Sequence, residues 1–435
     1  MRRKFEERLM LWKEKYNKKP LMVVGVRQIG KTYTIENFCK NNFSNYVYIN
    51  LEKQENIRNI FEKTLEPTEI IENIKVYLNI SFDDEETIIF FDECQVSERF
   101  IMSLKYFCES DINYKIICAG SLLGVKINRF NSSFPVGKIR IENMFPMDFE
   151  EFLMALDKYM LIDKIKENFK NFTPLDESLH EKALNLYKQY MCIGGMPEAV
   201  INFLESNRRL SEFDNKIIEN IVDMYISDMN KYTYNSYESV KIEKVYKNIP
   251  GQLAKENKKF QYSKLEKGSD KRKFQSAIEW LISSYLTYQC KSVDKIEIPL
   301  NVYEDENTFK LYLSDIGILT WMSGIRYDDI IFNSPFMYRG VITENYVAQN
   351  LISNDIVLHY WNNNNQAEIN FLIYNKDGII PIEVKSSENN QSKSLKFYME
   401  KYKPKYGVRL STKNFGFDNN IKSIPLYAIF CLKDL

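Results

Sequence analysis

The stretch Gly25-Val26-Arg27-Gln28-Ile29-Gly30-Lys31-Thr32 has the residue types and spacing of a phosphate-binding P-loop, Gly-x-x-x-x-Gly-Lys-Thr. Glycines let backbone N–H groups close around phosphate oxygens. A helix N-terminus behind them adds a favourable dipole. Lys31 can then reach the β- and γ-phosphates, and Thr32 can ligate Mg²⁺. A second stretch, Thr87-Ile88-Ile89-Phe90-Phe91-Asp92-Glu93, is an apolar run ending in two carboxylates, the Walker B form. Asp92 is expected to hold Mg²⁺ through water or Thr32, and Glu93 to polarise an attacking water as general base. Together the two stretches predict ATP and Mg²⁺ as ligands. Ser121 ends a later apolar run; its hydroxyl could bond both a phosphate oxygen and the attacking water, or simply close a Gly-Ser turn.

Strands and helices must position these groups. Pro20-Leu21-Met22-Val23-Val24 reads as a buried strand before the loop, and Thr34-Ile35-Glu36-Asn37-Phe38-Cys39 as a helix after it. Strands are also predicted at 45–51, 87–93 and 114–121, with helical spacing over 54–80 and 100–107. Residues 1–19 form a charged amphipathic segment with Phe5, Leu9, Leu11 and Trp12. Such β-α alternation predicts a parallel sheet with right-handed crossovers.

The 435 residues hold 44% apolar residues, ample for packed cores, and are long enough for several domains. Lys+Arg and Asp+Glu both count 59, so no global field recruits nucleic acid, and any such contact needs a local patch. Seven scattered cysteines without a Cys-x-x-Cys pair read as buried thiols in a reducing compartment. With only His180 and His359, His/Cys zinc sites are nearly excluded. No apolar run reaches about 18 residues and no h-region follows the basic N-terminus, so neither a membrane span nor a secretory signal is predicted. A cytoplasmic location is expected.

The ordered set Gly25–Thr32, Phe91-Asp92-Glu93, Ala119-Gly120-Ser121 and Phe145-Pro146-Met147-Asp148-Phe149-Glu150-Glu151-Phe152 resembles the AAA-type P-loop ATPases of bacteria and archaea that carry a C-terminal domain of unknown function. Gly194-Gly195-Met196-Pro197-Glu198, Leu313-Ser314-Asp315-Ile316-Gly317, Gly340-Val341-Ile342-Thr343-Glu344 and Ile382-Glu383-Val384-Lys385 are similar to further landmarks of that family. The resemblance implies an α/β chain in four parts: a P-loop NTPase core of AAA type with a parallel sheet at 1–154, a helical lid at 155–235, a winged-helix module at 236–298, and a restriction-endonuclease-like α/β domain at 299–435. It implies that Ser121 senses the γ-phosphate from a strand inserted between those of the two motifs. It also points to Arg140 or Arg129 as a finger acting in trans, which requires a homo-oligomer.

Glu383-Val384-Lys385 resembles the third motif of the PD-(D/E)xK nuclease fold. Two residues apart on a strand, Glu383 and Lys385 share a face. There a carboxylate binds Mg²⁺ and a lysine steadies the attacking hydroxide. Glu344 resembles the first-helix acid of that fold. At the position of the second metal carboxylate stands Asn370, a poor ligand for a hard cation; Glu368 faces the same way and is the candidate substitute. The third winged helix has a basic lead, Lys267, Lys271, Arg272 and Lys273, which could meet DNA phosphates or serve as a solvated helix start. The expected activity is an ATP-driven conformational switch acting on an unidentified protein partner. The alternative is an ATP-gated, degenerate nuclease or DNA-binding protein.

Overall fold

The computed structural model describes the chain except residues 17, 83–85, 112, 122–123, 126–133, 136, 232, 234–235, 257, 333–337, 364–365 and 387–391. Two compact units emerge: residues 1–145 with 283–285, and residues 146–282 with 286–435. Among the described residues no helix is long and apolar enough to cross a membrane.

The first unit is built on a parallel sheet of five strands, β1 (Leu21–Val24), β2 (Asn45–Asn50), β3 (Thr87–Asp92), β4 (Lys115–Ala119) and β5 (Arg140–Asn143), in the order β2-β3-β4-β1-β5. Every residue of β1, β3 and β4 is buried, which is why these strands read as unbroken apolar runs. β4 lies between β1 and β3, the inserted strand that the resemblance implied. Helix α1 (Phe5–Lys15) buries Phe5, Leu9 and Trp12, one face at helical spacing. α2 (Lys31–Asn42) follows β1, α3 (Glu55–Lys63) and α4 (Pro67–Leu78) link β2 to β3, and α5 (Glu98–Glu109) links β3 to β4. Ser97 starts α5 by accepting the N–H of Phe100 at 3.1 Å. Phe61, Phe91 and Phe100 fill the space between α3, α5 and the sheet, with ring centroids 4.7 to 5.8 Å apart.

The second unit combines helices with an eight-stranded mixed sheet, order β12-β13-β11-β10-β9-β8-β6-β7. Its strands are β6 (Thr287–Val293), β7 (Glu304–Leu313), β8 (His359–Asn363), β9 (Ala367–Asn375), β10 (Gly378–Val384), β11 (Gly407–Ser411), β12 (Gly416–Asp418) and β13 (Ile421–Pro425). The predicted divisions at 235/236 and 298/299 do not separate compact units here. β6, expected as the ribbon of a separate winged helix, pairs antiparallel with β7 and parallel with β8. Its burial explains this: only Gln289 and Lys291 are partly exposed, so its backbone groups need partners on both sides. Two residues of the basic lead of the helix Lys271–Ser283 are also engaged. Lys271 Nζ donates to the Glu306 carbonyl at 3.3 Å and to Asn307 Oδ1 at 3.2 Å, and Lys273 pairs with Glu266.

Two landmarks far apart in the chain meet in this unit. The Gly195 N–H donates to Asp315 Oδ2 at 2.6 Å, and Asp315 Oδ1 caps the helix Ile316–Met322 by accepting from Ile318 at 3.1 Å. A Cβ on Gly195 would lie 1.9 Å from the Met147 carbonyl oxygen, so only glycine allows this approach. Burial pushes the Asp315 carboxyl up to about 6 despite its bonds from backbone N–H groups. Pro197 begins the next helix, Pro197–Glu205, as its fixed φ favours.

Candidate active site

β1 ends at Val24 and α2 begins at Lys31, so residues 25–30 form the turn between them. Gly25 has φ +146°, and a Cβ there would stand 2.2 Å from the Met144 carbonyl oxygen. Gly30, with φ 83°, leads into α2 in the left-handed region. Gln28 is left-handed too, with φ 64°, a conformation disfavoured for a residue with a side chain. Such local strain is common where a loop is shaped for a ligand. Lys31 is 8% exposed. Its ammonium donates to the carbonyls of Gly25 at 3.0 Å and Val26 at 2.7 Å, inside the loop. Burial lowers Lys31 to about 8, opposed by the carboxylates of Glu93 and Asp92.

β3 delivers Asp92 to the same place. Thr32 Oγ1 donates to Asp92 Oδ2 at 2.8 Å, Tyr48 Oη donates to the same oxygen at 3.2 Å, and the Glu93 N–H donates to Asp92 Oδ1 at 3.0 Å. Burial raises the Asp92 carboxyl, and the Thr32 bond opposes that shift. Glu93 is left-handed, with φ 53°, and its Oε2 accepts from Gln95 Nε2 at 2.5 Å. The Thr32 and Asp92 oxygens fit Mg²⁺, which takes few protein ligands and keeps several waters. Sequence reasoning missed Tyr48 and Gln95. The register Asn50↔Asp92 and Tyr48↔Phe90 explains Tyr48, since it puts β2 beside β3, whereas no periodicity marks Gln95 on its short turn.

Ser121 is buried just beyond β4. Because Ala119 stands opposite Val23, Ser121 leaves the sheet at the edge where the loop 25–30 begins. Arg140 is not brought to this site. It starts β5 opposite Leu21, the end of β1 remote from the loop. Its Nε and Nη2 bond Glu142 Oε1 at 2.7 and 2.6 Å, and its guanidinium stacks 4.2 Å from the Tyr16 ring centre. Within its own chain strand geometry points Arg140 at Glu142, two residues on and on the same face, so it does not reach this loop; the trans role suggested by the resemblance concerns a neighbouring copy. Arg129 lies outside the described residues.

In the second unit the four residues singled out from the sequence do gather. Glu344, 1% exposed, accepts from Lys310 Nζ at 3.0 Å, Tyr312 Oη at 2.5 Å and Asn370 Nδ2 at 2.7 Å, and pairs with Lys258. Asn370 Oδ1 in turn accepts the Val384 N–H at 2.9 Å, which joins β9 to β10. Lys385 pairs with Glu383 Oε1 at 3.1 Å, while the buried Glu383 Oε2 has no hydrogen-bond partner. Glu368 does not substitute for the missing acid; it accepts from the fully buried Lys310 at 2.6 Å. Burial resists the charge on Glu344, yet Lys258 and Lys310 hold its carboxyl well below the usual range, and Glu344 and Glu368 hold Lys310 protonated. Among the described residues no group of three or more His, Cys, Asp or Glu is placed to hold a metal. Two ammonium groups and an amide donor meet the acid that a metal would need, so a divalent cation does not fit here.

Residues 17–153 match the family described as an AAA domain. That match covers 137 of the 435 residues, so the likeness to an AAA domain is of this part of the chain. Two further matches are to domains of unknown function, DUF8612 over residues 184–329 and DUF4143 over 339–429. The former runs across position 298, as the shared sheet does. No curated protein matches the chain. Among solved structures, a Walker-type ATPase of Pyrococcus abyssi is similar at 16% identity and TM-score 0.44, over 74% of this chain and 95% of that one. The ORC2 protein of Aeropyrum pernix, in ADPNP-ADP complexes, is similar at 12% and 0.35, over 80% and 94%. AMPPCP-bound DnaA from Aquifex aeolicus is similar at 12% and 0.32, over 65% and 89%. Likenesses this distant carry no argument about substrate, partner or assembly.

Proposed function

We propose that the first unit binds ATP with Mg²⁺ and hydrolyses it, and that the hydrolysis cycle switches the conformation of the second unit. The observation that carries this reading is the Thr32–Asp92 bond of 2.8 Å beside the buried ammonium of Lys31. Thr32 Oγ1 and Asp92 would hold Mg²⁺, which supplies positive charge to the phosphate oxygens in the transition state. Lys31, now resting on loop carbonyls, is the cation that turns to the β- and γ-phosphates. The N–H groups of the loop and of the first turn of α2 bind the remaining oxygens. Glu93 takes the proton of the attacking water, with Gln95 orienting its carboxylate. Ser121, at the same edge of the sheet, is in position to hydrogen-bond the γ-phosphate.

Two variants test the reading. Lys31→Ala should abolish tight ATP binding in calorimetry, and unchanged affinity would refute the loop assignment. Glu93→Gln should retain binding and slow turnover about 10²-fold or more, the range of a lost general base. Wild-type turnover in that variant would remove Glu93 from the mechanism.

A further inference from the structure

The second unit contains a cavity of about 740 Å³ that no step above uses. That volume falls in the range of small-ligand sites, about 300–1,000 Å³. Its walls come from the helix Tyr159–Asn171 and the following Phe172, the β9–β10 turn, and β12 with β13. Its charge is unbalanced. Lys166, Lys170, Lys376 and Lys422 face Asp377, Asp434 and the α-carboxylate of Leu435. Lys166 is met by Glu150 at 2.5 Å, but Asp377 is itself taken by Lys405 at 2.5 Å. Lys170, Lys376 and Lys422 are thus left with Asp434 and the α-carboxylate of Leu435, one negative charge short. Lys422 is lowered by burial and by the neighbouring Lys405 and Lys376, with Asp377 opposing. Its ammonium already lies over the rings of Tyr406, at 3.9 Å, and Phe172, at 5.4 Å. Phe417, 59% exposed, lines the same cavity.

We propose that this cavity binds a nucleotide unit, with the base stacked on Phe417 and the phosphates held by Lys170, Lys376 and Lys422. Lysines alone would take any anion. The added aromatic surface selects one that also carries a planar ring, because a base stacks on a ring whatever its sequence. The unit is either a free nucleotide or one residue of a single strand. This site is separate from the P-loop and does not depend on the reading of that loop.

The test measures anisotropy of a labelled oligothymidylate against full-length Lys31→Ala protein, which removes binding at the P-loop. Three lysine–phosphate contacts give a slope of log K against log salt of about −2 for a single strand. Phe417→Ala should weaken binding about tenfold or more and leave the slope in place. Lys376→Ala/Lys422→Ala should flatten the slope by about 1.4. An abasic oligomer should bind like the Phe417→Ala protein binds the thymidylate. Displacement by AMP assigns the site to free nucleotides, and failure of AMP to displace assigns it to a strand. All three residues are partly or fully exposed, so the variants should fold, which circular dichroism checks. No binding of the oligomer, or binding unaffected by both sets of substitutions, overturns the proposal.

Discussion

Asn370→Asp turns the ion-paired cluster of the second unit into a test of why a divalent cation does not fit it. Asn370 Nδ2 donates to Glu344 Oε2 at 2.7 Å. An aspartate would put two carboxylate oxygens at that separation and remove the donor. Two charges so close repel by about 6 kcal/mol at an effective dielectric of about 20. The protein has a less costly escape. Protonating an aspartate of ordinary pKa at pH 7 costs about 4 kcal/mol, roughly three units at about 1.36 kcal/mol each. That sets the ceiling, and Lys258 and Lys310 beside Glu344 lower it further. The expected loss is therefore about 2–4 kcal/mol at pH 7, or about 3–7 °C in the melting of a unit this size. The new carboxyl has a raised folded pKa, so the loss should shrink as pH falls towards 4 and grow as pH rises. A divalent cation between the two acids should reverse it. Thermal unfolding with and without Mn²⁺, in the Lys31→Ala background to silence the P-loop, reads both effects. Wild-type chain stabilised by Mn²⁺ as much as Asn370→Asp, with the effect lost in Glu344→Gln, would refute the reasoning. So would plasmid nicking by the wild type that disappears in Lys385→Ala.

Two other outcomes are open to measurement. Arg140→Ala should leave ATP turnover within about twofold, because its guanidinium is held by Glu142 and Tyr16 at the far end of β5; a fall of about 10³-fold, the worth of an arginine finger, would show that it acts on a neighbouring copy. Asp315, raised by burial to about 6, contributes stability that is complete below its unfolded pKa and lost as pH rises through about 6. Relative to Asp315→Asn, whose amide does not titrate, the wild type should lose up to about 3 kcal/mol between pH 4 and 7, and a pH-independent difference in urea unfolding would refute the assigned burial effect.

The ATP site was readable because its chemistry is local. Lys31 and Thr32 sit on one turn, Asp92 and Glu93 end one strand, and the buried parallel strands leave unbroken apolar runs. The parallel sheet followed from the same pattern, and the strand inserted between β1 and β3 from the resemblance. What escaped is contact over long separations. Tyr48 reaches Asp92 only because β2 lies beside β3. Lys258 and Lys310, which fill the place of a metal, come from a loop and a strand far from Glu344 in sequence. The pairing of β6 with β8 was not legible either, because that parallel partner begins only at His359. Arg140 looked like a candidate finger because sequence alone does not show which end of a short edge strand faces the phosphates.

The junction of Met147, Gly195 and Asp315 also bears on how the chain is made. The Gly195 N–H finds its acceptor 120 residues later. A ribosome adding about 5–20 residues per second leaves that donor waiting for roughly 6–24 s. Throughout that interval the helices Phe149–Ala155 and Glu177–Ile193 can pack on each other through Phe149, Phe152, Tyr187 and Tyr190, but the Gly195 turn that follows lacks its Asp315 acceptor, and the apolar side chains that later meet Tyr346 and Phe430 stay uncovered. A nascent chain halted before Asp315 would therefore present a helical segment whose central turn is built for a carboxylate not yet synthesised, a natural target for chaperones and proteases that recognise exposed apolar surface.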